Sequence, residues 1–187
     1  MKKLLFALIV LIVLAAGAAA AGLYYVRPDP MLNLDHGTVS LKDKAMDMAK
    51  RMSFDLRLSE EDVNDVLKAY LEEHPQRGPD VTVEGAQFGL SDDRMTADLR
   101  LLWKDRVPFG MRVVYRLEWR DPDLEAVVES VRVKDVSLPN DLVDSLSVPI
   151  GQELPELLKI KDVAFSGHEI IIRFRKPELS DLRKLLE

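Results

Sequence analysis

Between positions 95 and 120 the chain keeps a two-residue rhythm that suits a β-strand and little else. Ala97, Leu99, Leu101 and Trp103 alternate along one run, and Met111, Val113, Tyr115, Leu117 and Trp119 along the next, while Asp98, Arg100, Arg112, Arg116, Glu118 and Arg120 fall between them. Successive strand side chains point to opposite faces, so this spacing predicts antiparallel strands with an apolar face and a charged one.

The rhythm extends in both directions. Val81 to Arg120 reads as strand, turn, strand, turn, strand, punctuated by Ser91-Asp92-Asp93 and Lys104-Asp105-Arg106. Ala126 to Leu138 reads as a third long strand, with Val127, Val131 and Val133 on one side and Arg132 and Lys134 on the other. Phe54, Leu56 and Leu58 alternate with Asp55 and Arg57, and Lys161–Phe165 and Glu169–Arg175 flank a Ser166-Gly167-His168 hairpin turn.

Helical spacing appears elsewhere. Ser59 is a capping residue followed by Glu60, Glu61 and Asp62, then Val63, Val66, Leu67, Tyr70 and Leu71 form a stripe that His74-Pro75 ends. Asn64 lies beside that stripe, where its amide can bond the backbone of an adjacent strand edge. Further helices are expected over Leu41–Met52, from Pro139-Asn140-Asp141 through Leu142, Val143, Leu146 and Val148, at Glu153–Leu158, and over Glu178–Leu186. The expected fold class is therefore α+β: an N-terminal transmembrane helix, then a curved antiparallel sheet of about five or six strands packed on two or three helices.

The start of the chain sets its expected location. Leu4 to Val26 is a run of about 23 residues without a charge, preceded by Lys2 and Lys3 and ended by Arg27-Pro28-Asp29-Pro30. A secretory signal cleaved near Ala20 also fits, but Leu23-Tyr24-Tyr25-Val26 favours a retained anchor whose tyrosines sit at headgroup level. This gives residues 1–26 as anchor or signal, 27–39 as spacer and 40–187 as one extracytoplasmic domain, with the N-terminus cytoplasmic and a single pass through the cell membrane.

Past residue 26 the chain carries 24 basic and 32 acidic side chains, a net charge of −8 that argues against nucleic acid as a partner. It has no cysteine, so neither disulfides nor thiol chemistry enter.

Two passages carry a family resemblance. Phe54-Asp55-Leu56-Arg57-Leu58-Ser59-Glu60-Glu61-Asp62-Val63-Asn64 with Ala69-Tyr70-Leu71 resembles the opening of the YpmS-like proteins of Gram-positive bacteria, single-span envelope proteins with a domain of unknown function. Val131 to Pro139, followed by Leu142-Val143, is similar to that family's strand, loop, Leu-Pro, helix passage, although Asp135-Val136-Ser137 stands where the family usually has a glycine. It is also similar to exported proteins with tubular lipid-binding (TULIP-like) folds. The resemblance implies membrane anchoring and a lipid-binding architecture, and no catalytic residues.

The residues give no competing enzymatic reading. His36 lies in the spacer, His74 ends a helix and His168 sits in a turn, none at metal-ligand spacing. Ser166 beside His168 lacks an orienting third group, and Asp92-Asp93 and Glu60-Glu61-Asp62 read as turn formers and helix-start charges rather than as calcium ligands or acid–base pairs. No cofactor or metal is expected.

Two surfaces remain as candidate sites. The apolar face, Leu99, Leu101, Trp103, Val113, Tyr115, Leu117 and Trp119, is the expected wall of a groove between curved sheet and helix that takes a lipid or other apolar ligand. The opposite face, Arg100, Arg112, Arg116, Arg120, Arg132 and Lys134, offers positive charge to an anionic partner, or else pairs with Asp98, Glu118 and Glu129 in water. The expected function is a non-enzymatic, membrane-anchored envelope protein that binds an apolar ligand. The alternative is a tethered interaction or regulatory module of an envelope complex, with a fully packed core.

Overall fold

The computed structural model describes residues 54–148, 150 and 159–175, together with 14, 15, 17, 18, 21, 22, 24–26, 32–39 and 44. The expected helices over Leu41–Met52, Glu153–Leu158 and Glu178–Leu186, and most of the Leu4–Val26 segment, lie outside the described residues, apart from a few single positions. Among the described residues no helix is long and apolar enough to cross a membrane.

Strand β1 (Asp55–Ser59) runs directly into helix α1 (Glu60–Glu73). The switch is made by a capping box: the Ser59 hydroxyl accepts the Asp62 N–H at 3.2 Å, and the Asp62 carboxylate accepts the Ser59 N–H at 2.8 Å. The helix stops at His74, which is followed by Pro75, a residue that disfavours helical backbone before it.

The chain then builds a long meander of β2 (Val81–Ser91), β3 (Arg94–Trp103), β4 (Val107–Arg120), β5 (Asp123–Val133) and β6 (Val136–Leu138), each antiparallel to the one before. After a 3-10 turn at Asn140–Leu142, β7 (Leu146–Val148) returns to pair with the far end of β5, across Leu124–Ala126. A second, three-stranded sheet has the order β1-β9-β8, from β8 (Ile160–Ser166) and β9 (Glu169–Phe174).

The strands reverse where left-handed backbone is taken by Asp92 (φ 52°), Lys104 (50°), Asp105 (53°), Lys134 (53°) and Gly167 (59°). Two bulges bend the long sheet. Glu84 is extra in β2 between the Val83–Leu101 and Gly85–Arg100 pairs, and Glu129 is extra in β5 between Val114–Ser130 and Tyr115–Val128.

One core joins the two sheets and the helix. Val83, Ala86, Phe88, Leu90, Ala97, Leu101, Val113, Leu117 and Val131 of the long sheet meet Val63 and Leu71 of α1 and Ile160, Ile170 and Phe174 of the small sheet.

The α+β expectation is thereby corrected. Among the described residues the structure is mostly β, a curled antiparallel sheet with one helix element, α1, and without the expected transmembrane helix; much of the cover expected from helices is supplied by the small sheet, because β8–β9 pairs with β1 instead of joining the meander. The helix expected after Pro139 is a single 3-10 turn followed by β7. The strand expected from Ala126 to Leu138 reverses at Lys134-Asp135 into β6. Val127 does not share a face with Val131: it lies opposite Arg116 on the outer side, because the Glu129 bulge resets the alternation.

Candidate functional site

Cross-strand register places the apolar candidates on one face. Leu99 pairs with Met111, Leu101 with Phe109 and Trp103 with Val107, so these share a side with Val113, Tyr115, Leu117 and Trp119 along β4. They do not form one open wall. Val113 is 0% and Leu101 2% exposed, Tyr115 and Leu117 are buried beside them, and Leu99 and Trp119 pack partly against the same core. Burial also pushes the Tyr115 hydroxyl pKa upward. Only Trp103, at the β3–β4 turn, stands 46% exposed.

On the outer face the arginines meet carboxylates. Arg112 makes a two-pronged contact with Asp98 at 2.6 and 3.0 Å, and Arg100 reaches Glu84 at 3.1 Å. Arg116 and Arg94, which face each other across β3 and β4, both bind Glu129, the bulge residue, and Arg120 lies between Glu118 and Glu125. Arg94 and Arg116 together hold the Glu129 carboxyl below its usual pKa. Arg132 and Lys134 have no ion pair among the described residues. The ladder is thus largely self-neutralised, and exposed pairs of this kind add little stability.

The sequence reading missed how the open edge of β2 is protected. An unpaired edge strand presents a row of N–H groups to any other chain. Here alternate groups are taken in turn: Ala86 N–H by the Asn33 carbonyl at 3.1 Å, Phe88 N–H by the Asn64 side chain at 2.9 Å, and Leu90 N–H by the Glu60 carboxylate at 2.7 Å. Asn64 finds the backbone partner expected of it. On α1, Glu60, Asn64, Lys68 and Glu72 recur every four residues, and so form one polar row. Lys68, buried, donates to the Asp35 carbonyl at 3.3 Å, and Glu72 meets His36 at 3.0 Å.

Residues 32–39, read from sequence as spacer, are therefore strapped to the domain. Gly85 makes room for them: a Cβ there would lie 2.3 Å from the Leu32 carbonyl oxygen. The signals were present as a four-residue polar spacing and a glycine within a strand.

At one end of the molecule the turns lock together. Asp92 N–H donates to the Gly167 carbonyl and Gly167 N–H to the Asp92 carboxylate, both at 2.8 Å, while Glu60 N–H donates to the His168 carbonyl. The His168 ring meets Glu60 at 2.9 Å. The Leu90 N–H, and then His168, hold the Glu60 carboxyl below its usual pKa, and Glu60 in turn raises that of His168. The contact ties the exposed His168 ring to the start of α1. Among the described residues no group of three or more His, Asp and Glu side chains is placed to hold a metal ion.

The other end carries the N-terminal segment. The Val26 carbonyl accepts the Gly110 N–H at 3.0 Å where β5 no longer flanks β4, and the Tyr25 hydroxyl donates to Asp135 in the β5–β6 turn at 2.7 Å. Nearby, Trp103, Lys104, Arg106 and Val107 line an open depression of about 440 Å³, and the Lys104 ammonium stands 5.0 Å from the Trp103 ring centre.

Comparison with protein-family models, curated proteins and solved structures finds no match to this chain.

Proposed function

We propose that this chain is a non-enzymatic interaction module of the cell envelope, directed to a membrane by its uncharged 4–26 segment and working through its surface around a packed core. The observation that carries this reading is the burial of Leu101, Val113, Tyr115 and Leu117. Their side chains are spent on joining the two sheets and α1, so the volume a groove ligand needs is occupied by protein. That packing favours the interaction module over the apolar-ligand groove. A second feature has the same sense: Val136, Leu142, Leu146 and Val148, on and around the short outer strands β6 and β7, are all exposed and give a protein partner apolar contact area.

The test is mass spectrometry of lipid extracts from the full chain, purified in detergent and washed extensively. The expected result is no acyl species at stoichiometric amount. A lipid retained one to one, and lost in a Leu101→Trp variant that still folds, would overturn this reading in favour of the groove.

A further inference from the structure

We propose that the β3–β4 turn docks on the outer headgroup layer of the same membrane to which residues 4–26 direct the chain, with Trp103 as the inserted side chain. The inference rests on the membrane-side reading above.

Three observations converge on this end of the long sheet. First, the chain joins the domain here: Val26, the last residue of the uncharged segment, is hydrogen-bonded to Gly110, three residues along β4 from Val107, the cross-strand partner of Trp103. Tyr25 is held by Asp135 in the neighbouring turn. A membrane that holds the segment before Tyr24 therefore lies against this end of the sheet.

Second, the exposed side chains at this end suit the interface. Trp103, Tyr24 and Tyr25 are all exposed, and amphipathic aromatic rings of this type concentrate at headgroup depth. Trp103 stands out from the otherwise buried apolar face, with its burial lost only where the sheet ends.

Third, the charges fit a lipid surface without relying on net attraction. Lys104 lies over the Trp103 ring and within 3.9 Å of Asp80. Arg106 and Lys134 have no ion pair among the described residues and can reach lipid phosphates, while Asp105 and Asp80 keep the net charge of the end small. The contact is therefore expected to depend on aromatic insertion more than on lipid charge.

Trp119 supplies an internal control. It lies twelve residues along β4 from Val107, about 40 Å away at strand spacing, and is partly buried. The experiment uses the full chain reconstituted into vesicles of phosphatidylcholine with phosphatidylglycerol, as two single-tryptophan variants, Trp119→Phe and Trp103→Phe. Spin-labelled lipids bearing the quencher near the headgroup should quench Trp103 at least threefold more than Trp119, in vesicles with or without the anionic lipid. Equal, weak quenching of both in a chain that floats with the vesicles would overturn the docking and leave the membrane-side reading intact. A chain that does not float with the vesicles would overturn both.

Discussion

The side-chain amide oxygen of Asn64 accepts the backbone N–H of Phe88 at 2.9 Å, both residues being buried. This bond fixes α1 along the outer edge of β2 and removes the central donor of an edge that would otherwise recruit another strand. Asn64→Ala should cost about 1–3 kcal/mol, because it strands a buried N–H. Urea denaturation measures this, and a loss below about 0.5 kcal/mol would mean that water substitutes for the amide.

Gly85 lets residues 32–33 lie directly on β2, since a Cβ would meet the Leu32 carbonyl at 2.3 Å. Gly85→Ala should lift the strap and cost about 1–3 kcal/mol through overpacking. The amide of Ala86, which donates to Asn33, should then exchange with deuterium much faster while that of Phe88 stays protected. Uniform protection across both would show that the strap is not seated there.

The apolar face divides into a sealed centre and an open end. Leu101→Ala should destabilise by about 2–5 kcal/mol through the cavity it leaves, whereas Trp103→Ala, at a site 46% exposed, should cost about 1 kcal/mol. Thermal unfolding of the two variants in parallel decides this. Equal losses would contradict the division.

Glu60 and His168 link the helix start to the β8–β9 turn and should confer a pH dependence. Glu60 has its folded pKa below the ordinary 4.5, so its contribution is complete above that value and lost as pH falls through the folded one. His168 has its folded pKa above the ordinary 6.5, so its contribution is complete below that value and lost as pH rises through the folded one. The pair therefore stabilises most between the two. Thermal midpoints of the native chain and of His168→Gln should differ most between the ordinary values of 4.5 and 6.5 and converge as pH rises past the raised folded value of His168. His36, raised by the Gly37 carbonyl and by Glu72, titrates in the same sense and is common to both proteins, so the difference isolates His168.

Strand alternation was legible from residue parity alone: the period of two in β3 and β4 placed Leu99 through Trp119 on one face, and their register agrees. The α1 start was legible at Ser59-Glu60-Glu61-Asp62, where the capping chemistry is local. In β5 the alternation failed at one extra residue and one reversal. The Glu129 bulge moved Val127 to the outer face, and the left-handed Lys134 cut an apparent long strand in two. Neither leaves a mark on composition.

The sequence by itself determined which side chains must leave water and where helix and strand periods change, because those are properties of neighbours along the chain. Tertiary structure alone decided that β8–β9 would seek β1, that a second sheet would take over much of the cover expected of helices, and that Val113 would be sealed while Trp103 stayed open. Those outcomes turn on which distant surfaces exclude water most completely from one another, and a pattern read one strand at a time holds no term for the partner.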